Sequence, residues 1–245
     1  MHLQFVGCGD AFGSGGRFNT CLHLVGREFN VLIDCGASSL IGMNKLGINR
    51  NDISAIFISH FHGDHIGGVP FFLLESNFVL KRERPLTIIG PPTLKARFPG
   101  IVETAFPGSG TLDLSFPLTL QEMTIAQRNE FGPVSITPYH VIHDDRAGPC
   151  LGLRIEAEGK VIAFSGDTEW TESVIDIGRD ADLFICECYT RDKPIKSHMS
   201  LDLLASHLDK IRPKRLILTH MSDDMLEHRA ELPYETAEDG LIVEI

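Results

Sequence analysis

The sequence predicts an α/β fold of the αββα sandwich type, with two mixed β-sheets packed face to face and helices outside. Three observations carry that expectation. Short apolar strand-like runs come first and then alternate with helical stretches, and this succession occurs twice along the chain, as two layered sheets require. No linker, repeat or low-complexity tract interrupts it, so residues 1–245 read as a single domain. With 245 residues, 43% hydrophobic and 22% charged, the chain can fill one large core.

The elements follow in order. His2–Gly7, Cys21–Val25 and Asn30–Cys35 are short apolar-rich runs separated by Gly- and Asn-containing segments, and read as strands. Ser38–Leu46 reads as a helix, Ser54–Ser59 as a buried strand, and His65–Lys81 as a helix with Gly67-Gly68 near its start. Leu86–Gly90 is strand-like and Thr93–Phe106 helical; Leu118–Ile125 and Val134–Tyr139 are further strands. Cys150–Ala157 and Lys160–Ser165 form a hairpin about Glu158-Gly159. Trp170–Ile177 is a short helix, Leu183–Cys188 a strand, Leu201–Leu208 a helix, Leu216–Thr219 a strand, and Leu241–Ile245 closes the chain.

The most informative segment is Ser59-His60-Phe61-His62-Gly63-Asp64-His65, directly after the apolar run Ser54–Ile58. Packing gives no reason to crowd three imidazoles and a carboxylate at the end of a buried strand. Neutral imidazoles and carboxylates are, however, the ligands that Zn²⁺ and similar divalent ions prefer. In an extended segment residues two apart point the same way, so His60 and His62 can face one ion. Asp64 and His65, at the turn into the next helix, are displaced towards a second.

This HxHxDH pattern resembles the metallo-β-lactamase-fold hydrolase superfamily, and later segments extend the likeness. Asp167 ends an apolar strand in Phe164-Ser165-Gly166-Asp167-Thr168, where Asp167 or Thr168 could equally cap the following helix. His220 ends Leu216-Ile217-Leu218-Thr219-His220. Between them His140 and His143 compete for one ligand role; Val141-Ile142-His143 matches the family's apolar-x-His pattern better and lies nearer to Leu151-Gly152, with His140 as the alternative. Glu187, in the apolar strand Ile185–Cys188, needs a partner if buried. Together with His198 in Ser197-His198-Met199-Ser200, it resembles the Glu and His that the ribonuclease Z-like phosphodiesterase branch places beside its metals. The likeness covers essentially the whole chain.

The resemblance implies a dinuclear metal-dependent hydrolase acting on a small phosphodiester with a hydroxide shared by two divalent ions. Zinc is the first expectation; Mn²⁺ or Fe²⁺ suits the same donors. His60, His62 and His143 would hold one ion, Asp64, His65 and His220 the other, and Asp167 would bridge. Asp64 would also orient the nucleophile, and His198, steadied by Glu187, would protonate the leaving oxygen. Ribonuclease Z proper carries a long Gly/Pro- and basic-rich arm, and nothing of that character lies between Pro149 and Asp167. The tRNA 3′-processing reading is therefore an alternative, as is a lactone or thioester hydrolase of the same fold. A non-enzymatic metal-binding module would not need so complete a ligand set.

The remaining features are more modest. Net charge is −11, which disfavours extended nucleic acid as a partner. The loop Gly7–Gly16 leads into a strand rather than a helix, so it is no dinucleotide fingerprint. The six cysteines have no zinc-finger spacing and read as buried free thiols. With no signal-like segment before the first strand and no apolar run approaching a membrane span, a cytoplasmic protein without membrane attachment is expected. The apolar helix Ile66–Leu74 exceeds what one buried face needs and suggests a homodimer interface as much as core packing.

Overall fold

In the computed structural model, which describes residues 1–245, fourteen strands form two seven-stranded sheets. The first half of the chain contains β1 (His2–Gly7), β2 (Cys21–Val25), β3 (Asn30–Ile33), α1 (Ser39–Lys45), β4 (Ala55–Phe57), α2 (Gly63–Ile66), α3 (Val69–Phe78), β5 (Leu86–Gly90), α4 (Leu94–Ala105) and β6 (Leu118–Glu122). The second half contains β7 (Asn129–Phe131), β8 (Val134–His140), β9 (Leu151–Ala157), β10 (Lys160–Phe164), α5 (Ser173–Gly178), β11 (Leu183–Glu187), α6 (Leu201–Ala205), α7 (Leu208–Ile211), β12 (Leu216–Thr219), α8 (Asp223–Glu227), β13 (Glu235–Thr236) and β14 (Ile242–Glu244).

The sheets run β14-β1-β2-β3-β4-β5-β6 and β13-β12-β11-β10-β9-β8-β7. Both are mixed. In the first, β14, β1, β2 and β3 pair antiparallel while β3 to β6 are parallel. In the second, β7 to β10 pair antiparallel while β10 to β13 are parallel. A cluster including Leu3, Phe5, Leu22, Leu24, Phe57, Ile136, Leu153, Ile155 and Phe164 joins inward residues of both sheets. Each such side chain contributes about 1.5–3 kcal/mol when fully buried. Two further clusters back the sheets with helices, one with α3 and α4 and the other with α5 and α6.

The expected sandwich is present, with local differences. The helix expected over His65–Lys81 is two: α2 ends at Ile66, and α3 begins at Val69. Gly68 lies where the corner packs against the chain leaving β3; a Cβ there would sit 2.3 Å from the Gly36 carbonyl oxygen. The expected helix Leu201–Leu208 also divides, into α6 and α7. Strands β7 and β13, of three and two residues, were not expected; they are too short to show alternation. Cys186 and Cys188 share one face in the helix-backed cluster, and all six cysteines are free and buried.

Candidate metal centre

The parallel strands determine where the chemistry collects, because their carboxyl ends point to one edge of the sandwich. Past β4 come His60 to His65, past β10 Asp167, at the end of β11 Glu187, and past β12 His220. The turn carrying Asp64 and His65 is fastened to the exit of β3. Cys35 N–H donates to the His65 carbonyl at 2.7 Å, Gly68 N–H to that of Cys35 at 2.8 Å, and Ala37 N–H to that of Gly63 at 3.1 Å. A Cβ on Gly36 would meet the Asp64 carbonyl oxygen at 2.1 Å, so only glycine permits this approach. His220 leaves β12 in the left-handed region, with φ 55, and its N–H donates to the Cys8 carbonyl at 3.0 Å.

Asp167 is the centre of the arrangement. Its Oδ2 lies 3.1 Å from His65 Nε2, 3.3 Å from His220 Nε2, 3.8 Å from His143 Nε2 and 3.9 Å from His60 Nε2. Asp64 Oδ2 is 3.3 Å from His65 Nε2 and 3.9 Å from His220 Nε2. His143 Nε2 faces His62 Nδ1 at 3.0 Å, while its Nδ1–H donates to the Ser197 carbonyl at 2.8 Å. Two ligand groups result, His60 with His62 and His143, and Asp64 with His65, Asp167 and His220, the donor atoms of each lying within 4.8 Å of one another. His140 is exposed and outside both. With α5 beginning at Ser173, neither Asp167 nor Thr168 caps it.

Do these residues fit metal ions? His60 is completely buried, yet its Nε2 has no hydrogen-bond partner. Such an orphan is costly unless something else satisfies it. Burial, and then the nearby charge of His65, hold His60 well below the ordinary imidazole range, so it is a neutral donor. Burial likewise lowers His62, with His143 adding to it. Although burial alone would raise both carboxyls, His65 and His220 hold Asp64 below the usual range, and His220, His65 and His60 hold Asp167 well below it. Ionised carboxylates among neutral, converging imidazoles are a donor set for divalent ions.

Three supporting residues were missed in the sequence. Asp34, fully buried at the end of β3 with φ 58, accepts from His65 Nδ1 at 2.6 Å, from Ser59 Oγ at 2.7 Å and from Ser59 N–H at 2.7 Å. It thereby fixes the His65 tautomer and turns Nε2 towards Asp167. Its signal was an Asp ending the apolar run Val31-Leu32-Ile33, the same signal Asp167 gives. Asp144 Oδ2 lies 3.7 Å from His62 Nε2. Tyr189 stacks on the His198 ring, centroids 4.6 Å apart, and no local pattern marks it.

Glu187 and His198 do meet. Glu187 Oε2 is 3.0 Å from His198 Nδ1, and Oε1 accepts from the Thr168 N–H. Burial pushes the Glu187 carboxyl up, while His198 opposes it. Burial would lower His198, but the hydrogen bond and charge of Glu187, then Asp167 and Asp64, raise it to about 9. His198 lines a cavity of about 190 Å³ with Ala11, Phe12, His62, Asp64, His143, Asp167, Tyr189 and His220.

With that geometry in place, the comparisons with known proteins can be stated. The sequence profile of the family described as anti-Pycsar protein Apyc1 matches residues 1–242. The chain belongs to this family. It is 30% identical to the anti-Pycsar protein Apyc1 of Bacillus phage 010DV004, over 92% of this chain and 90% of that protein. It is 28% identical to the ribonuclease Z of Geobacillus kaustophilus, over 91% of this chain and 88% of that one. Human tRNase Z, short form, superposes with a TM-score of 0.79 at 24% identity, covering 100% of this chain and 99% of that one. A diphosphatase of the PhnP family gives 0.80 at 20% identity, covering 100% and 97%. The fold is therefore that of the metallo-β-lactamases, and the chain is a metal-dependent hydrolase of the ribonuclease Z-like kind.

Proposed function

We propose that the chain is a dinuclear hydrolase of small phosphodiesters. His60, His62 and His143 hold one divalent ion, Asp64, His65 and His220 the other, and Asp167 touches both; zinc is the first expectation, with Mn²⁺ or Fe²⁺ as substitutes. When bound, such a pair supplies a nucleophile from water near neutral pH and neutralises charge on phosphorus. Asp64 orients the attacking water. Glu187 holds the His198 Nδ1–H and keeps the ring charged, leaving Nε2 to protonate the departing oxygen. Tyr189, stacked on that ring, limits its rotation.

The observation carrying this reading is the Glu187–His198 pair at 3.0 Å on the wall of the Asp167 cavity. A leaving group that needs a proton explains a buried acid charging a histidine there. Relatives named ribonuclease Z and a diphosphatase support a phosphate ester or anhydride as the reacting group. Size is argued from this chain: a net charge of −11 and a cavity of about 190 Å³ favour a small substrate over a folded RNA.

Two broader features belong to the same reading. No helix is long and apolar enough to cross a membrane, and six buried free thiols suit a reducing compartment such as the cytoplasm. The core shared by both sheets supports treating residues 1–245 as one hydrolase domain. The test is a substrate panel on metal-loaded protein: phosphodiesters, phosphomonoesters, a lactone, a thioester and precursor tRNA. Small phosphodiesters should be turned over far faster than the rest. Efficient, position-specific tRNA cleavage at physiological salt would move the chain to ribonuclease Z proper, and preference for the lactone or thioester would replace phosphoryl chemistry altogether.

A further inference from the structure

The groove beside the metal centre points to a second element of recognition, which rests on the phosphodiester reading above for the anionic part of the ligand: we infer that it binds a flat, uncharged aromatic substituent of the phosphodiester, and that Phe12 sets substrate preference by stacking on that ring.

Phe12 is 86% exposed, more than any other large hydrophobic side chain of the chain. An exposed phenyl ring forgoes the stabilisation of burial, and the loop bearing it is not loose. The buried Asp10 carboxylate accepts from Phe12 N–H at 3.2 Å, from Ser14 N–H at 2.9 Å and from Ser14 Oγ at 2.7 Å. Gly15 N–H donates to Asp223 at 3.0 Å, and Asn19 Nδ2 to the Asp10 carbonyl at 2.9 Å. A pinned loop therefore presents the ring to solvent.

Its position gives the exposure a use. Phe12 and Tyr189 line both the 190 Å³ cavity over the metal ligands and an adjoining open groove of about 650 Å³. A group attached to phosphorus in the first can therefore extend into the second. The groove's hydroxyls are already engaged: Ser14 donates to Asp10, Ser222 to the Tyr189 carbonyl, and Thr190 to the Lys193 carbonyl. What remains is apolar or aromatic: Phe12, the Tyr189 ring, Pro194, and Ile195, which is 42% exposed. Asp223 and Asp224 at the groove disfavour a second anion. An uncharged planar ring suits these walls better than a polyol or another phosphate.

Phosphonates, which resist hydrolysis, separate recognition from reactivity. Calorimetry on the metal-loaded full chain would compare methylphosphonate with 2-naphthylmethylphosphonate for wild type, Phe12→Ala and Phe12→Trp. Wild type should bind the naphthyl compound at least about tenfold tighter, Phe12→Ala should lower that preference by about tenfold, and Phe12→Trp should retain it. No preference in wild type, or an unchanged preference in Phe12→Ala, overturns the inference. Turnover of bis(4-nitrophenyl) phosphate by wild type tests the phosphodiester reading separately, so either idea can fail without the other.

Discussion

Replacing Asp34 by Asn probes the metal centre through a residue that touches no ion. Asp34 Oδ1 lies 2.7 Å from the Ser59 N–H, and Oδ2 lies 2.6 Å from His65 Nδ1 and 2.7 Å from Ser59 Oγ. In the variant the Ser59 N–H retains the amide oxygen at the Oδ1 position, which turns the NH₂ group onto His65. Donor then meets donor. The neutral imidazole escapes by moving its proton to Nε2, the atom 3.1 Å from Asp167 Oδ2. A protonated Nε2 cannot ligate, so the site nearest His65 weakens. Loss of such supporting partners typically lowers metal affinity by about 10–100-fold, or roughly 1.4–2.7 kcal/mol. Competition with a chromophoric chelator measures the loss, and circular dichroism of both proteins checks that the fold survives. A folded Asp34→Asn protein whose affinity stays within about twofold of wild type, against the 10–100-fold expected, would refute the tautomer argument.

His198→Ala should slow an alkyl phosphodiester by about 10²–10⁴-fold and a nitrophenyl diester much less, because nitrophenolate departs without a proton; equal losses would assign His198 to phosphate or metal binding. In metal-free protein, NMR titration should place the His198 pKa near 9 and Glu187→Gln should lower it by about 1–3 pH units. The sign follows from the carboxylate stabilising the charged ring, and an unchanged value would mean that Asp167 and Asp64 suffice. Phe71, Phe78 and Val79 leave an apolar strip on α3 and its end, 45%, 55% and 70% exposed. Sedimentation at micromolar concentration should therefore give a dimer, and a monomer rules out pairing through this face.

How legible the site was depended on how local each piece is. His60, His62, Asp64 and His65 occupy a single strand–turn–helix passage, so residue spacing alone places them near one another. Asp167 and His220 were readable as polar residues ending apolar runs, because parallel strands deliver their carboxyl ends to one edge. Asp34 gives the same signal and was passed over, since its role exists only through His65, 31 residues away. Tyr189 and Phe12 could not be read at all. Their positions depend on two loops from opposite halves of the chain meeting over the cavity. The break between α2 and α3 was hidden because it comes from the close approach of Gly68 to Gly36, a tertiary contact.

The central claim is that one carboxylate, Asp167, serves two ions, and metal content of wild type and Asp167→Ala tests it most directly. Elemental analysis after dialysis should return two divalent ions per wild-type chain and no more than one in the folded variant. Two ions retained in Asp167→Ala, or a wild type that never holds more than one, would contradict the account.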